Sequence, residues 1–169
     1  SGNLPMALAY AQYLLCRDRD AADACGKCSS CLQMQKLEHP DAHLEFPIFF
    51  TEKVKVCEPF TAQWRQAVLA EPYLDIEQWR DQLESENKQL RMGVDIAQEI
   101  QRKLSLRSFM GGYKVMLIWL PEFVDPTAEI AMEKIGRNGH AQSAGRTNQG
   151  LADSACHFQR IAYAADHDR

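Results

Sequence analysis

The sequence predicts an α/β domain built on a parallel sheet, with an inserted zinc module and a helical insertion. Three observations carry this expectation. Residues 113–121 read Y-K-V-M-L-I-W-L-P, apolar at nearly every position from Val115 to Leu120, as a central strand covered on both faces requires. Amphipathic helical patterns flank that strand. Four of the chain's six cysteines fall between residues 16 and 31, as C-R-D-R-D-A-A-D-A-C-G-K-C-S-S-C.

A chain of 169 residues suffices for one domain, or one with a small appendage. Its 46% hydrophobic and 25% charged residues suit a soluble globular protein with a real core. The net charge of −4 argues against gripping nucleic acid alone, which needs a basic surplus. No apolar run reaches membrane-spanning length, and the start lacks the basic segment of a secretory signal. No membrane association is expected, and the cytoplasm is the default compartment.

Along the chain, residues 4–16 (L-P-M-A-L-A-Y-A-Q-Y-L-L-C) form the first expected helix, with Pro5 suited to its first turn. Its apolar residues cover most of the circumference, so it should be buried. Ser1-Gly2-Asn3 leaves no room for a preceding strand, so the chain is expected to open inside a longer protein. A short helix, C-L-Q-M-Q-K-L-E, follows the cysteines and ends at His39-Pro40-Asp41. A short strand is expected from His43 to Phe46, closed by Pro47. Residues 48–92 differ in texture, with Trp64 and Trp79 on two helical patterns separated by Glu71-Pro72-Tyr73. These tryptophans are candidates for a partner surface, or for packing on each other and on Tyr73. A helix over about 94–106 follows, its apolar side traced by Val94, Ala97, Ile100, Leu104 and, one turn on, Ser108. Gly111-Gly112 breaks it before the apolar strand. T-A-E-I-A-M-E-K-I predicts one more helix, and from Gly136 the chain turns polar and glycine-rich.

Cys16, Cys25, Cys28 and Cys31 stand as C-x8-C-x2-C-x2-C. In a reducing compartment such clusters favour metal over disulfides. Two C-x2-C steps turn successive thiolates inward around one ion, and four thiolates around zinc make a closed, structural site. The alternatives are a redox C-x2-C pair and unligated thiols, and His39 or His43 in place of one sulfur. No strand precedes Cys25, as a redox motif would want. The preferred reading is a structural zinc clamp, with Cys57 and Cys156 as ordinary side chains. His39, His43, His140, His157 and His167 are scattered and form no catalytic set.

The cysteine spacing, followed by His39-Pro40-Asp41, Gly93-Val94-Asp95-Ile96, Gly111-Gly112 and the strand from Lys114 to Trp119, resembles the bacterial clamp-loader subunits of DNA polymerase III. These are AAA+ proteins of the delta-prime and gamma/tau types. The resemblance covers residues 1 to about 130 and is interrupted at 48–92. It implies an incomplete AAA+ P-loop-type domain in four parts. Residues 1–47 would be the P-loop helix and zinc module, 48–92 the helical insertion, and 93–135 a helix, the Walker B-like strand and the next helix. Residues 136–169 would be a divergent tail, open to disorder.

The resemblance also implies a degenerate nucleotide site at Gly2, Asn3, Leu4, Trp119 and Leu120. An ATP-hydrolysing relative carries G-x-x-x-x-G-K-[ST] where this chain opens, and Asn3 and Leu4 stand at the Lys and Ser/Thr positions. The strand should end in a metal-binding Asp and a Glu; here Trp119 and Leu120 occupy those places, and Glu122 comes two residues late. ATP is therefore not expected as a cofactor, and the pattern resembles the non-hydrolysing delta-prime type. Its implied partners are gamma/tau and delta, and indirectly the sliding clamp and primed DNA. Two departures stand: the helix after the strand drifts from N-A-L-L-K-x-L-E-E-P-P, and no Ser-Arg-Cys triplet follows, Arg160 being no match. Competing readings are an ATP-hydrolysing AAA+ subunit, and a standalone zinc module that binds nucleic acid. Arg17, Arg19 and Lys27 nearly balance Asp18, Asp20 and Asp23, which disfavours the latter.

Overall fold

The computed structural model describes residues 3–85, 88–138 and 160–165. Gly2, Cys156, three of the five histidines and most of the expected tail lie outside them.

The order is α1 (Asn3–Leu15), α2 (Ser29–Gln35), β1 (Ala42–Glu45), β2 (Ile48–Phe49), α3 (Thr61–Ala70), α4 (Ile76–Gln82), β3 (Leu90–Arg91), α5 (Val94–Ser105), β4 (Tyr113–Ile118), α6 (Pro126–Asn138) and β5 (Arg160–Ala165). The main sheet runs β1-β4-β5. β1 and β4 are parallel, with Ala42 opposite Val115 and Glu45 opposite Ile118. β5 joins β4 antiparallel, so the expected parallel sheet is a mixed one. An antiparallel strand on the edge of a parallel sheet is a common arrangement.

β4 is buried from Lys114 to Ile118. Val115 joins Ala11 and Leu15 of α1 in one apolar cluster. Lys114, pointing the opposite way by strand alternation, donates to the carbonyls of Lys103 and Leu106 at the end of α5. The sheet is thus covered by α1 on one face and α5 on the other, which explains the unbroken apolar run.

α1 buries Leu4, Ala7, Ala11 and Leu15 at helical spacing, while Met6 and Tyr10 on its outer side are exposed. Its apolar circumference is only half used among the described residues. In α5 the buried positions are Ile96, Ala97 and Ile100. Val94 opens the helix and is part exposed, so the inward face begins two residues later than the spacing implied. Ser108 is not on that face either. Leu106 is extended (φ −75°, ψ 149°), the helix stops at Ser105, and Ser108 turns its hydroxyl to Asp41.

Residues between β2 and β3 pack as part of the main core. Trp64 and Trp79 are both 0% exposed. Trp64 stacks on Phe46 at 5.0 Å between centroids, and Trp79 meets the same ring edge-on at 5.4 Å. Trp64 also lies edge-to-face with Trp119 at 5.9 Å. Tyr73 stays exposed. The tryptophans therefore present no surface to a partner. They clamp Phe46, which follows β1, one ring stacked and one edge-on, the geometries that aromatic pairs prefer. The Trp79 Nε1–H donates to the Pro47 carbonyl at 2.8 Å. α4 starts at a reciprocal cap: the Asp75 carboxylate accepts from the Gln78 amide, and the Gln78 side chain accepts from the Asp75 amide.

Candidate metal centre

Cys16 follows the last residue of α1, whose free carbonyls are met from outside. Arg19 donates to the Leu14 carbonyl at 2.8 Å and the Tyr13 carbonyl at 3.4 Å, with its guanidinium over the rings of Tyr13 and Tyr113. The Asp20 carboxylate then accepts from the amides of Ala22 and Asp23, turning the chain back; these bonds hold its pKa below the usual value. Gly26, at φ +68°, takes the left-handed conformation that lets the chain double back between Cys25 and Cys28. Cys28 is extended and precedes α2, which carries Cys31 in its first turn, fully buried.

The four sulfurs all lie within 4.8 Å of one another. Cys16 and Cys28 are 3.9 Å apart, Cys25 and Cys31 4.0 Å. Sulfurs around a tetrahedral zinc at about 2.3 Å from each would sit about 3.8 Å apart, so the cluster fits one ion. The Cys25 amide donates to Cys16 Sγ and the Cys28 amide to Cys25 Sγ, both at 3.3 Å, bonds that favour thiolates. Burial pushes the Cys28 thiol up, but the amides of Arg17 and Cys31 and the neighbouring sulfurs outweigh it and hold it at about 6. Burial, with the Cys16 and Cys28 sulfurs, pushes Cys31 up to about 12. All the described cysteines are free thiols. A sulfur-only cage of this kind is compatible with a structural ion, since it offers no open position for water or substrate.

Neither histidine joins the cluster. His39 Nδ1 accepts from the Asp41 amide at 3.1 Å, within the His-Pro-Asp turn. Cys57 is buried and donates to the Phe46 carbonyl. At the expected nucleotide positions, Asn3 opens α1 and is exposed, whereas Leu4 is 1% exposed and Trp119 2%, both in the principal apolar cluster. The Trp119 amide donates to the Glu45 carbonyl at 2.8 Å. Leu120 leaves the strand in the left-handed region, φ 55°.

Three buried charges escaped the sequence reading. Asp41, 1% exposed, accepts from Ser108 Oγ at 3.0 Å, the Phe109 amide at 2.6 Å and the Met110 amide at 2.8 Å. Glu45 pairs with Lys103 Nζ at 2.6 Å across the β1–α5 interface. Lys114 stands within β4 directly before the apolar run that starts at Val115, and that place in a buried strand was its signal.

The fold and the site together define a mixed α/β domain with a four-cysteine group able to hold one metal ion. A family model described as DNA polymerase III, delta subunit, matches residues 1–135. The chain belongs to that family, and so to the clamp-loader-related subunits of the replication machinery. Other clamp-loader subunits are the partners that membership implies. No curated protein matches the chain. No described helix is long and apolar enough to cross a membrane.

Proposed function

We propose that this chain is a delta-prime-type subunit: a non-hydrolysing AAA+ member that holds gamma/tau and delta in register while they bind and hydrolyse ATP, around the sliding clamp and primed DNA in the cytoplasm. The observation that carries this reading is the burial of Leu4 and Trp119 in the core. The magnesium-binding hydroxyl of the Ser/Thr position and the magnesium-binding aspartate would have to face the ligand at those two places; here Leu4 and Trp119 have joined the hydrophobic interior instead. Nothing in such a site balances triphosphate charge. In this reading Gly2, Asn3 and Leu120 complete the lost site, and the four-part division at 47, 92 and 135 separates metal module, helical insertion, strand unit and tail.

The ion in this proposal is zinc, held by Cys16, Cys25, Cys28 and Cys31. When bound, it crosslinks the end of α1 to the start of α2 and contributes to folding directly. The test is equilibrium binding of a fluorescent ATP analogue to the purified chain, with ATPase measured after its assembly with gamma/tau and delta. No nucleotide binding by the chain alone, and assembly-dependent turnover that survives Asn3→Ala, is the expected result. Saturable nucleotide binding, or turnover lost on that substitution, overturns it.

A further inference from the structure

The loop from Leu106 to Gly112 is held by buried charges, yet it shows its apolar side chains to solvent. Phe109 is 78% exposed and Leu106 56%. From behind, Lys114, itself 3% exposed, donates to the Leu106 carbonyl. Asp41 accepts from Ser108, Phe109 and Met110. From the metal module, Arg17 donates to the Met110 carbonyl at 3.2 Å. Gly111, at φ +69°, closes the turn. Burying a carboxylate and an ammonium carries a desolvation cost that their hydrogen bonds must offset. Here those buried charges fix a knuckle whose Phe109 is mostly, and whose Leu106 is more than half, in solvent.

We propose that this knuckle is a docking site for an acidic segment of another protein that carries an apolar side chain. Phe109 and Leu106 supply the anchor, and fixing the loop in advance removes the ordering cost that binding otherwise meets. The charge says which segment. The stretch L-R-S-F-M-G-G has one charged residue, Arg107, and no acid. Among the described residues neither Arg107 nor Arg17 has a carboxylate within ion-pair distance. Two unneutralised guanidiniums beside an exposed Phe and Leu match carboxylates flanking an apolar residue. Single-stranded nucleic acid is less well served, because tracking a backbone takes a run of cations rather than two.

The test is fluorescence anisotropy of a labelled peptide with Glu and Asp flanking a Leu-Phe pair, titrated with the metal-loaded protein. Saturable binding is expected, weakened about tenfold or more by Phe109→Ser and by Arg107→Glu, the scale of one interface anchor. Asp41→Asn, which frees the loop but keeps Phe109, weakens it too. Circular dichroism checks that each variant stays folded. Binding indifferent to Phe109→Ser and Arg107→Glu overturns the proposal, as does no binding. So does a labelled oligothymidine that binds more tightly through Phe109, or a concentration-dependent dimer that Phe109→Ser disperses.

Discussion

Asp41 was legible in the sequence only as the third letter of a turn. The His-Pro-Asp pattern announced that the chain bends there, and His39 does accept from the Asp41 amide. Nothing local announced that its carboxylate would hold Ser108, Phe109 and Met110, because those donors come from a loop far along the chain. Asp41→Asn leaves an acceptor but turns an amide against backbone donors, so unfolding in urea should show a loss of about 2–3 kcal/mol. His43 gives a second prediction. Burial, then Lys103 and Lys114, depress its pKa from 6.5 to about 4. The unfolded chain then binds the proton more readily, so the stability His43 contributes is complete above pH 6.5 and lost as pH falls toward 4. Glu45 runs the other way. Burial outweighs Lys103 and raises its pKa, so its share is complete below its ordinary 4.5 and declines as pH rises through the raised value. Melting temperatures between pH 7 and 4 should fall less steeply for His43→Gln than for the parent; parallel curves would exclude this origin.

At the scale of elements, α3, α4 and the strand at β4 were readable because their patterns are local: ten to six residues with clear period and punctuation. The grouping of the four cysteines was readable for the same reason, since all of them lie within sixteen positions. The destination of the tryptophans was not, because Phe46 belongs to another element and periodicity does not name the surface a helix meets. Trp64→Ala should cost about 3–5 kcal/mol in chemical denaturation, the range for emptying a core aromatic site. The metal module predicts one ion per chain by elemental analysis. Cys31→Ser, which alters a buried ligand, should lower zinc affinity by more than about tenfold. Hydrogen exchange should then quicken in α2 and in the loop that Arg17 steadies, while α3 and α4 keep their protection.

Across the whole molecule, the α/β class and the order of the main helices and of β1 and β4 followed from the alternation of helix and strand patterns, but the short strands β2 and β3 bounding the expected helical insertion did not. The mixed sheet did not. β5 comes from a segment whose sequence carries little strand signal, and its backbone pairs along all of β4. At this scale the core is continuous: Leu4 from α1, Trp64 and Trp79 from α3 and α4, and Trp119 after β4 belong to one apolar cluster. Cooperative unfolding should therefore report on all of it, with intrinsic tryptophan fluorescence and far-ultraviolet circular dichroism giving coincident transitions in the metal-loaded protein. Two separated transitions would mean that the helices between β2 and β3 come away on their own.

The pairing of β2 with β3 sets Ile48 opposite Arg91 and Phe49 opposite Leu90, so everything between leaves and returns through one narrow doorway. By geometry alone that stretch is detachable: a tight reverse turn joining the two strands would restore an unbroken path. By packing it is not, since removing it would strip both indoles from Phe46 and open Trp119 to water. A shortened chain of this kind would trace the same route and would have to trade its aromatic interior for smaller or more polar residues to stay in solution.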